Sequence, residues 1–213
     1  MAPVRNPLAG LDTPPRTVGR FRPRLALNCR EFAPGVWRSA QPRPRDLRAF
    51  AAAGGRSVVS LRAGRGVSAL GPEIETCRSL GLAFHRVPLR GHRLPEAAEL
   101  LAAAGLFRSL ARPVLLHCGS GADRAGFAAS LWLALVEGRP VHEARRELSW
   151  RHGHNPLGRA GLLDAFFDAC EEEAPVGAMS LERWLKERYD PDAVTQHWRS
   201  KGLLRRLRDR LGG

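Results

Sequence analysis

Cys118 and Arg124 lie at the two ends of a short loop that contains two glycines. The loop follows the apolar segment 114–116 and precedes the apolar segment 127–136, a pattern that predicts a strand, a tight loop and a buried helix. Backbone N–H groups at a helix N terminus have no partner within the helix, and the helix dipole attracts negative charge there. The sequence therefore predicts an anion-binding loop.

The residue types of this loop suit chemistry on a phosphate ester. The guanidinium of Arg124 can bind two oxygens of a phosphate at once, and a thiol in a positive field, such as that of Cys118, favours the thiolate. We expect the thiolate to attack phosphorus and to form a phosphocysteine intermediate. The alternative, a structural cysteine beside a glycine-rich turn, leaves Arg124 unexplained. The expected phosphate-binding residues are Gly119, Ser120, Gly121 and Ala122.

The segment from His117 to Gly126 resembles the Cys-x5-Arg signature loop of the cysteine-based protein tyrosine and dual-specificity phosphatases. Upstream, the segment 35–42 (Gly-Val-Trp-Arg-Ser-Ala-Gln-Pro) is similar to the entry strand of bacterial and plant-type dual-specificity-like phosphatases. The resemblance implies that His117, Arg38 and Ser39 lie near the loop; the alternative is that Arg38 only caps a surface strand. It also implies a phosphatase that needs no cofactor and no metal.

The chain departs from that family pattern at the general acid. The resemblance implies an Asp on the loop after the predicted strand 82–89, but this loop contains Arg90, His92 and Arg93 and no Asp. Asp123 is expected to replace it, as in the similar loops of myotubularin-like lipid phosphatases and some bacterial enzymes. The alternatives are that Asp123 only orients Arg124, or that His92 is the acid.

A second departure is Ala125, where the family commonly has Ser or Thr directly after the Arg. The resemblance implies that this hydroxyl stabilises the cysteine thiolate as it leaves phosphorus in the second step, the hydrolysis of the phosphocysteine. We expect slower dephosphorylation here, or a compensating hydroxyl group such as that of Ser120.

Composition restricts the remaining possibilities. Hydrophobic residues make up 44% and charged residues 26% of the 213 residues, which is ordinary for a soluble globular protein. Neither a membrane span nor a signal peptide is expected.

The four cysteines form no C-x-x-C pair, which argues against a zinc site and against disulfide bonds and favours a reducing, cytoplasmic compartment. His152 and His154 are too close in sequence for one helical face, so no metal site is expected there.

The order of predicted elements favours an α/β fold with a central, largely parallel sheet flanked by helices and a helical C-terminal part. We expect three regions: a basic Pro/Gly-rich arm (1–34), a phosphatase domain (35–175) and a helical extension with a basic amphipathic end (176–213). The predicted strands are a short one within 35–42, which ends in a turn, and 57–61, 82–89 and 114–116. The predicted helices are 46–53, 72–80, 96–110, 127–136, 141–150, 155–170 and 181–189.

The net charge of +13 is concentrated at the two ends of the chain: residues 1–24 carry +4 and residues 199–213 carry +5. The segment 204–211 predicts a basic amphipathic helix. This helix can lie on an anionic membrane surface, such as the inner surface of the cell membrane, or it can dock on the protein itself. No fingerprint of specific nucleic-acid binding is present.

Arg90, His92 and Arg93, together with Asp123 in the loop, favour a highly anionic substrate, such as a phosphoinositide, a phospholipid headgroup or a lipid-linked phosphate. The basic C-terminal helix would then hold the enzyme at the membrane. A phosphotyrosine or dual-specificity protein substrate is the first alternative, followed by an inositol polyphosphate. A phosphate-binding pseudophosphatase and a rhodanese-type sulfur carrier are the alternatives outside this activity.

Overall fold

The computed structural model describes residues 28–63, 70–174 and 179–201. Five strands form one sheet: β1 (Arg30–Ala33), β2 (Val36–Ser39), β3 (Ser57–Ser60), β4 (Ala83–Arg86) and β5 (Val114–His117). Their order is β1-β2-β5-β3-β4, in which β1 is antiparallel to β2 and the other neighbours are parallel. The predicted, largely parallel sheet is therefore confirmed.

Eight α-helices lie in the described part of the chain. They are α1 (Pro44–Ala52), α2 (Gly71–Ser79), α3 (Ala97–Ser109), α4 (Asp123–Leu135), α5 (Val141–Ala144), α6 (Gly161–Glu173), α7 (Leu181–Glu187) and α8 (Pro191–Ser200). Two short 3₁₀ turns, Arg145–Glu147 and Trp150–His152, lie between α5 and α6. None of the helices within the described ranges is long and apolar enough to cross a membrane.

The central strand β5 is buried on both of its faces. Leu115 packs in a cluster with Leu47 and Phe50 of α1, whereas Leu116 packs in the larger cluster that contains side chains of α3, α4, α6 and α7. Helices therefore cover both sides of the sheet, as expected for parallel strands that are apolar on both faces. This packing fixes the carboxyl end of β5, where the Cys118 loop begins.

Three features differ from the predictions. β1 lies within the segment predicted as an arm and pairs with β2. The predicted helix 141–150 ends after Ala144 and continues as a 3₁₀ turn. The predicted helix from Asn155 begins only at Gly161, because the Asn155 side chain accepts a hydrogen bond from the N–H of Leu157 and forms a turn.

Two predictions lie outside the described residues: most of the basic arm (residues 1–27) and the amphipathic helix 204–211. The boundaries of the three regions stay predictions.

Candidate active site

The Cys118 loop lies at the carboxyl edge of the parallel strands, the edge at which open α/β sheets bind ligands. β5 ends at His117, and α4 begins at Asp123. The Cys118 N–H lies 3.4 Å from the carbonyl oxygen of Ser39 at the end of β2. On the other side, the Leu61 N–H donates to the His117 carbonyl at 2.8 Å. The base of the loop is therefore held between its two neighbouring strands.

Arg38 supports the second half of the loop. Its Nη2 donates to the carbonyl oxygens of Gly121 and Ala122 at 2.7 and 3.0 Å. Its Nη1 donates to the carbonyl and carboxylate oxygens of Glu147 at 2.6 and 2.9 Å. Burial lowers the pKa of Arg38, whereas the Glu147 carboxylate opposes this change. Arg38 is fully buried, so it does not cap a surface strand.

Two further groups support the first half of the loop. The backbone N–H of Gln41 donates to the carbonyl of Gly119 at 3.0 Å. Nδ2 of Asn28 donates to the carbonyl of Ser120 at 2.9 Å and to the carbonyl of His152 at the same distance. Four consecutive carbonyl groups of the loop thus have hydrogen-bond donors outside it.

These bonds determine where the loop amides point. In a trans peptide the N–H points away from the C=O of the preceding residue, so four outward carbonyls direct the amides of residues 120–123 toward the inner side of the loop. The Gly121 N–H donates to Sγ of Cys118 at 3.2 Å, in agreement with this orientation. Inward amides beside a cysteine sulfur form a site for an oxyanion.

The two glycines of the loop have different reasons to be glycine. Gly121 has a φ of 74°, and a Cβ at this position would lie 2.5 Å from the backbone nitrogen of Ala40. A Cβ at Gly119 would lie 3.3 Å from Nη2 of Arg124. The guanidinium of Arg124 therefore lies against the loop, where it can bind the same phosphate as the amides.

His117 and Ser39 lie behind the loop. Nε2 of His117 is 2.7 Å from Oε1 of Glu73, in a close buried contact that is not aligned as a hydrogen bond. The Ser39 hydroxyl donates to the carbonyl of Ala40, so Ser39 supports the loop through its backbone carbonyl. Glu73, from α2, was not predicted as a site residue.

Asp123 has a partner that sequence reasoning missed. Nδ1 of His154 lies 2.6 Å from Oδ1 of Asp123, and Nε2 of His154 lies 2.6 Å from Oδ2 of Asp164 in α6. Burial by itself would lower the pKa of His154, but hydrogen bonds to Asp123 and Asp164 raise it to about 9. His154 is therefore a cation near neutral pH, and a carboxylate is the preferred partner for each of its N–H groups.

Arg90, His92 and Arg93 line a separate cavity of about 310 Å³. Arg199 of α8 also lines it, and Glu96 and Asp192 contribute negative charge. Among the described residues, no hydrogen bond or ion pair joins these three predicted substrate-binding side chains to the Cys118 loop. The structure thus brings the loop residues together with Arg38, Ser39 and His117, and it places the basic segment 90–93 against α8.

Comparisons with known proteins agree with this fold. Crystal structures with a similar fold include a glycine-to-alanine mutant of Tk-PTP (TM-score 0.55, 21% identity, covering 70% of this chain and 97% of that one). Another is TpbA from P. aeruginosa (TM-score 0.54, 20% identity, covering 80% of this chain and 90% of that one). No curated protein matches the sequence significantly. Residues 35–141, half of the chain, match the tyrosine phosphatase family. This chain therefore belongs to the tyrosine phosphatase family and is a cysteine-dependent phosphatase.

Proposed function

We propose that Cys118 is the nucleophile of this phosphatase and that Arg124 and the amides of residues 120–123 bind the transferred phosphoryl group. The observation that carries the proposal is the set of four loop carbonyls bonded outward, which directs the amides toward Sγ of Cys118. Preorganised amides and a guanidinium stabilise the charge of a phosphoryl transition state without rearranging during the reaction.

The reaction has two steps. The thiolate of Cys118 attacks phosphorus, the ester P–O bond breaks, and the leaving oxygen takes a proton from water. Water then attacks the phosphocysteine, the P–S bond breaks, and its electron pair returns to Sγ, which releases inorganic phosphate. Asp123 accepts the proton of this water, because it lies at the end of the loop and its second carboxylate oxygen is not bonded to His154. The acid role predicted for Asp123 in the first step is the alternative source of the proton on the leaving oxygen.

Replacing the nucleophile tests this assignment. Cys118→Ser should lower turnover of p-nitrophenyl phosphate by more than about 10³-fold and leave vanadate binding measurable. Cys170→Ala is the matched control, because burial raises the pKa of the Cys170 thiol to about 12, so this cysteine in α6 is a neutral core residue. Equal activity of the two variants would contradict the assignment.

The substrate that we favour is a phosphomonoester with further negative charge, such as a phosphoinositide or a phospholipid headgroup. The segment 90–93 follows β4, which lies two positions from β5 in the sheet. Because the carboxyl ends of parallel strands share one edge, the chain leaves β4 at the edge of the sheet where the Cys118 loop begins. The cavity lined by Arg90, Arg93 and Arg199 supports this proposal, because three arginines there could bind a second anionic group of the substrate.

Phosphotyrosine is the second candidate. A cysteine-to-serine variant of TpbA from P. aeruginosa, a structure with 19% identity to this chain, was crystallised in complex with phosphotyrosine. A phenol with a pKa of about 10 leaves with less help from an acid than an alkyl alcohol does. This candidate therefore agrees with a segment 90–93 that contains no carboxylate.

Phosphate release from short-chain phosphoinositides and from phosphotyrosine peptides distinguishes the two candidates. For an anionic substrate, Arg93→Ala should raise KM for the phosphoinositide about tenfold and leave KM for p-nitrophenyl phosphate unchanged. Arg78→Ala, an exposed arginine at the end of α2 on the opposite edge of the sheet, is the control. Turnover of phosphotyrosine peptides alone, with no effect of Arg93→Ala, would identify the second candidate.

Membrane binding is tested separately with vesicles that contain anionic phospholipid. The full chain should pellet with these vesicles, and a variant with Gln at positions 205, 206, 208 and 210 should pellet less. Equal pelleting of the two proteins would contradict a contribution of the C-terminal arginines.

A further inference from the structure

The imidazole of His154 lies between two carboxylates that belong to different helices. Asp123 is the first residue of α4, and Asp164 lies in the first turn of α6. His154 itself is 2% exposed, so water does not compete for its two nitrogens. Both nitrogens lie 2.6 Å from a carboxylate oxygen. The three residues therefore form a hydrogen-bonded chain that runs from buried Asp164 to Asp123 at the Cys118 loop.

The number of protons in this chain follows from its geometry. A neutral imidazole carries one N–H and one lone pair, and a lone pair 2.6 Å from a carboxylate oxygen is repulsive. Two short contacts are satisfied together when the imidazole is protonated and both carboxylates are ionised. The raised pKa of His154, about 9, agrees with this arrangement.

The three members differ in their exposure to solvent. Asp164 is buried, whereas the side chain of Asp123 keeps 35% of its surface exposed. One oxygen of Asp123 is bonded to His154, which leaves Oδ2 for a water or a substrate. The pKa of His154 is raised by Asp123 and Asp164. The pKa of the neighbouring His152 is instead influenced by the charges of Arg30, Arg38, Glu147 and Arg151.

The geometry points to His154 as a positioning residue that, held by Asp164, fixes the orientation of the Asp123 carboxylate for the hydrolysis of the phosphocysteine. This inference rests on the proposed function of Cys118. In the step concerned, water attacks phosphorus, the P–S bond breaks, the electron pair returns to sulfur, and the water proton passes to Asp123 and then to solvent. His154 keeps its own two protons throughout, and it acts in this step and not in the attack by the thiolate.

Rapid-quench kinetics with p-nitrophenyl phosphate separates the two steps. In His154→Gln the burst of nitrophenol should keep its rate within about threefold, whereas the steady-state rate should fall at least about tenfold and phosphocysteine should accumulate. Asp164→Asn should change the rates in the same direction by a smaller factor. His142→Gln, an exposed histidine of α5, is the matched control and should behave as the wild type.

Two further measurements distinguish positioning from a purely structural role. The dephosphorylation rate of the wild type should fall as the pH rises through about 9, and this dependence should be absent in His154→Gln. Asp123→Asn should reproduce the slow second step, and adding His154→Gln to it should cause no further loss.

Several outcomes would overturn the inference. An equal loss in the burst and steady-state phases of both His154→Gln and Asp164→Asn would show a structural role, as would additive losses in the double variant. Unchanged rates in these variants would show that His154 has no role in the reaction. If wild-type protein forms no phosphocysteine on Cys118, the proposed function itself fails, which is a different result from a normal burst in every variant.

Discussion

Nη2 of Arg38 lies 2.7 Å from the carbonyl oxygen of Gly121, although the two residues are 83 positions apart in the chain. The guanidinium is fully buried and also bonds Ala122 and Glu147. One arginine thus turns two carbonyls of the Cys118 loop away from the site and connects the loop to the 3₁₀ turn after α5. The shape of the phosphate-binding loop depends on this side chain as much as on the loop sequence.

Arg38→Lys should therefore damage the loop. A lysine has a single ammonium group and lacks the planar guanidinium with which Arg38 reaches four acceptor oxygens at once, so we expect kcat/KM for p-nitrophenyl phosphate to fall about 100-fold. Arg30→Gln is the matched control, because Arg30 pairs with the same Glu147 and bonds none of the loop carbonyls. Equal losses in the two variants would assign the effect to the ion pair with Glu147 and not to the loop.

Gly121→Ala tests the close approach of the loop to β2. The positive φ costs a side chain about 1 kcal/mol, and overlap with the Ala40 backbone nitrogen adds about 1–3 kcal/mol. At Gly138, which has a φ of 67°, a Cβ would meet nothing within 4 Å, so Gly138→Ala carries only the first cost. Denaturant unfolding should show the larger loss of stability for Gly121→Ala, together with weaker vanadate binding. An equal change in both proteins would mean that the loop can move away from β2.

Arg124→Lys tests the proposed binding of two phosphate oxygens by the guanidinium of Arg124. Loss of bidentate binding to the transition state should lower kcat by about 10³-fold. The affinity for vanadate, measured by inhibition, should fall with it, because the same guanidinium binds the anion. Arg139→Lys, an exposed arginine that pairs with Glu143, should change neither quantity. Full activity of Arg124→Lys would exclude the guanidinium from the reaction.

His154 also predicts how stability changes with pH. Its pKa rises from 6.5 to about 9 on folding, so its contribution to stability is fully present below about pH 6.5 and is lost as the pH rises through about 9. The free energy of unfolding of the wild type, minus that of His154→Gln, should thus shrink between about pH 6 and pH 9.5. Urea titrations at several pH values measure this difference. A constant difference would mean that His154 is not held as a cation in the folded protein.

Ser120→Ala tests whether the Ser120 hydroxyl replaces the hydroxyl group that is missing at Ala125. The Ala122 N–H lies 3.3 Å from the Ser120 oxygen, so the hydroxyl proton of Ser120 stays available as a donor to a leaving thiolate. If Ser120 compensates, Ser120→Ala should slow phosphocysteine hydrolysis several-fold without changing the burst rate, and Ala125→Ser should restore it. Unchanged steady-state turnover in Ser120→Ala would assign no such role to this hydroxyl.

The chemistry of the Cys118 loop could be predicted from the sequence, because the residues that carry it are close together in the chain. A nucleophile, two glycines, an arginine and the start of a helix fall within a few consecutive residues, and the apolar segments on either side predict the strand and the helix. The parallel sheet was predictable for a similar reason, since buried strands alternate with helices. Helix boundaries after Ala144 were predicted less well, because a single side chain such as Asn155 can form a turn where a helix is possible.

The partners of the loop were decided by the tertiary structure alone. Asn28 lies 92 positions from Ser120, and His154 lies 31 positions from Asp123, so no spacing rule joins them. Buried carbonyl and carboxylate oxygens require donors, and the sequence offers many polar residues that could supply them. Only the packing of α4, α6 and the neighbouring strands brings these particular donors within hydrogen-bond distance. The sequence by itself determined what the loop can react with, and the fold determined which distant side chains hold the loop and control its protons.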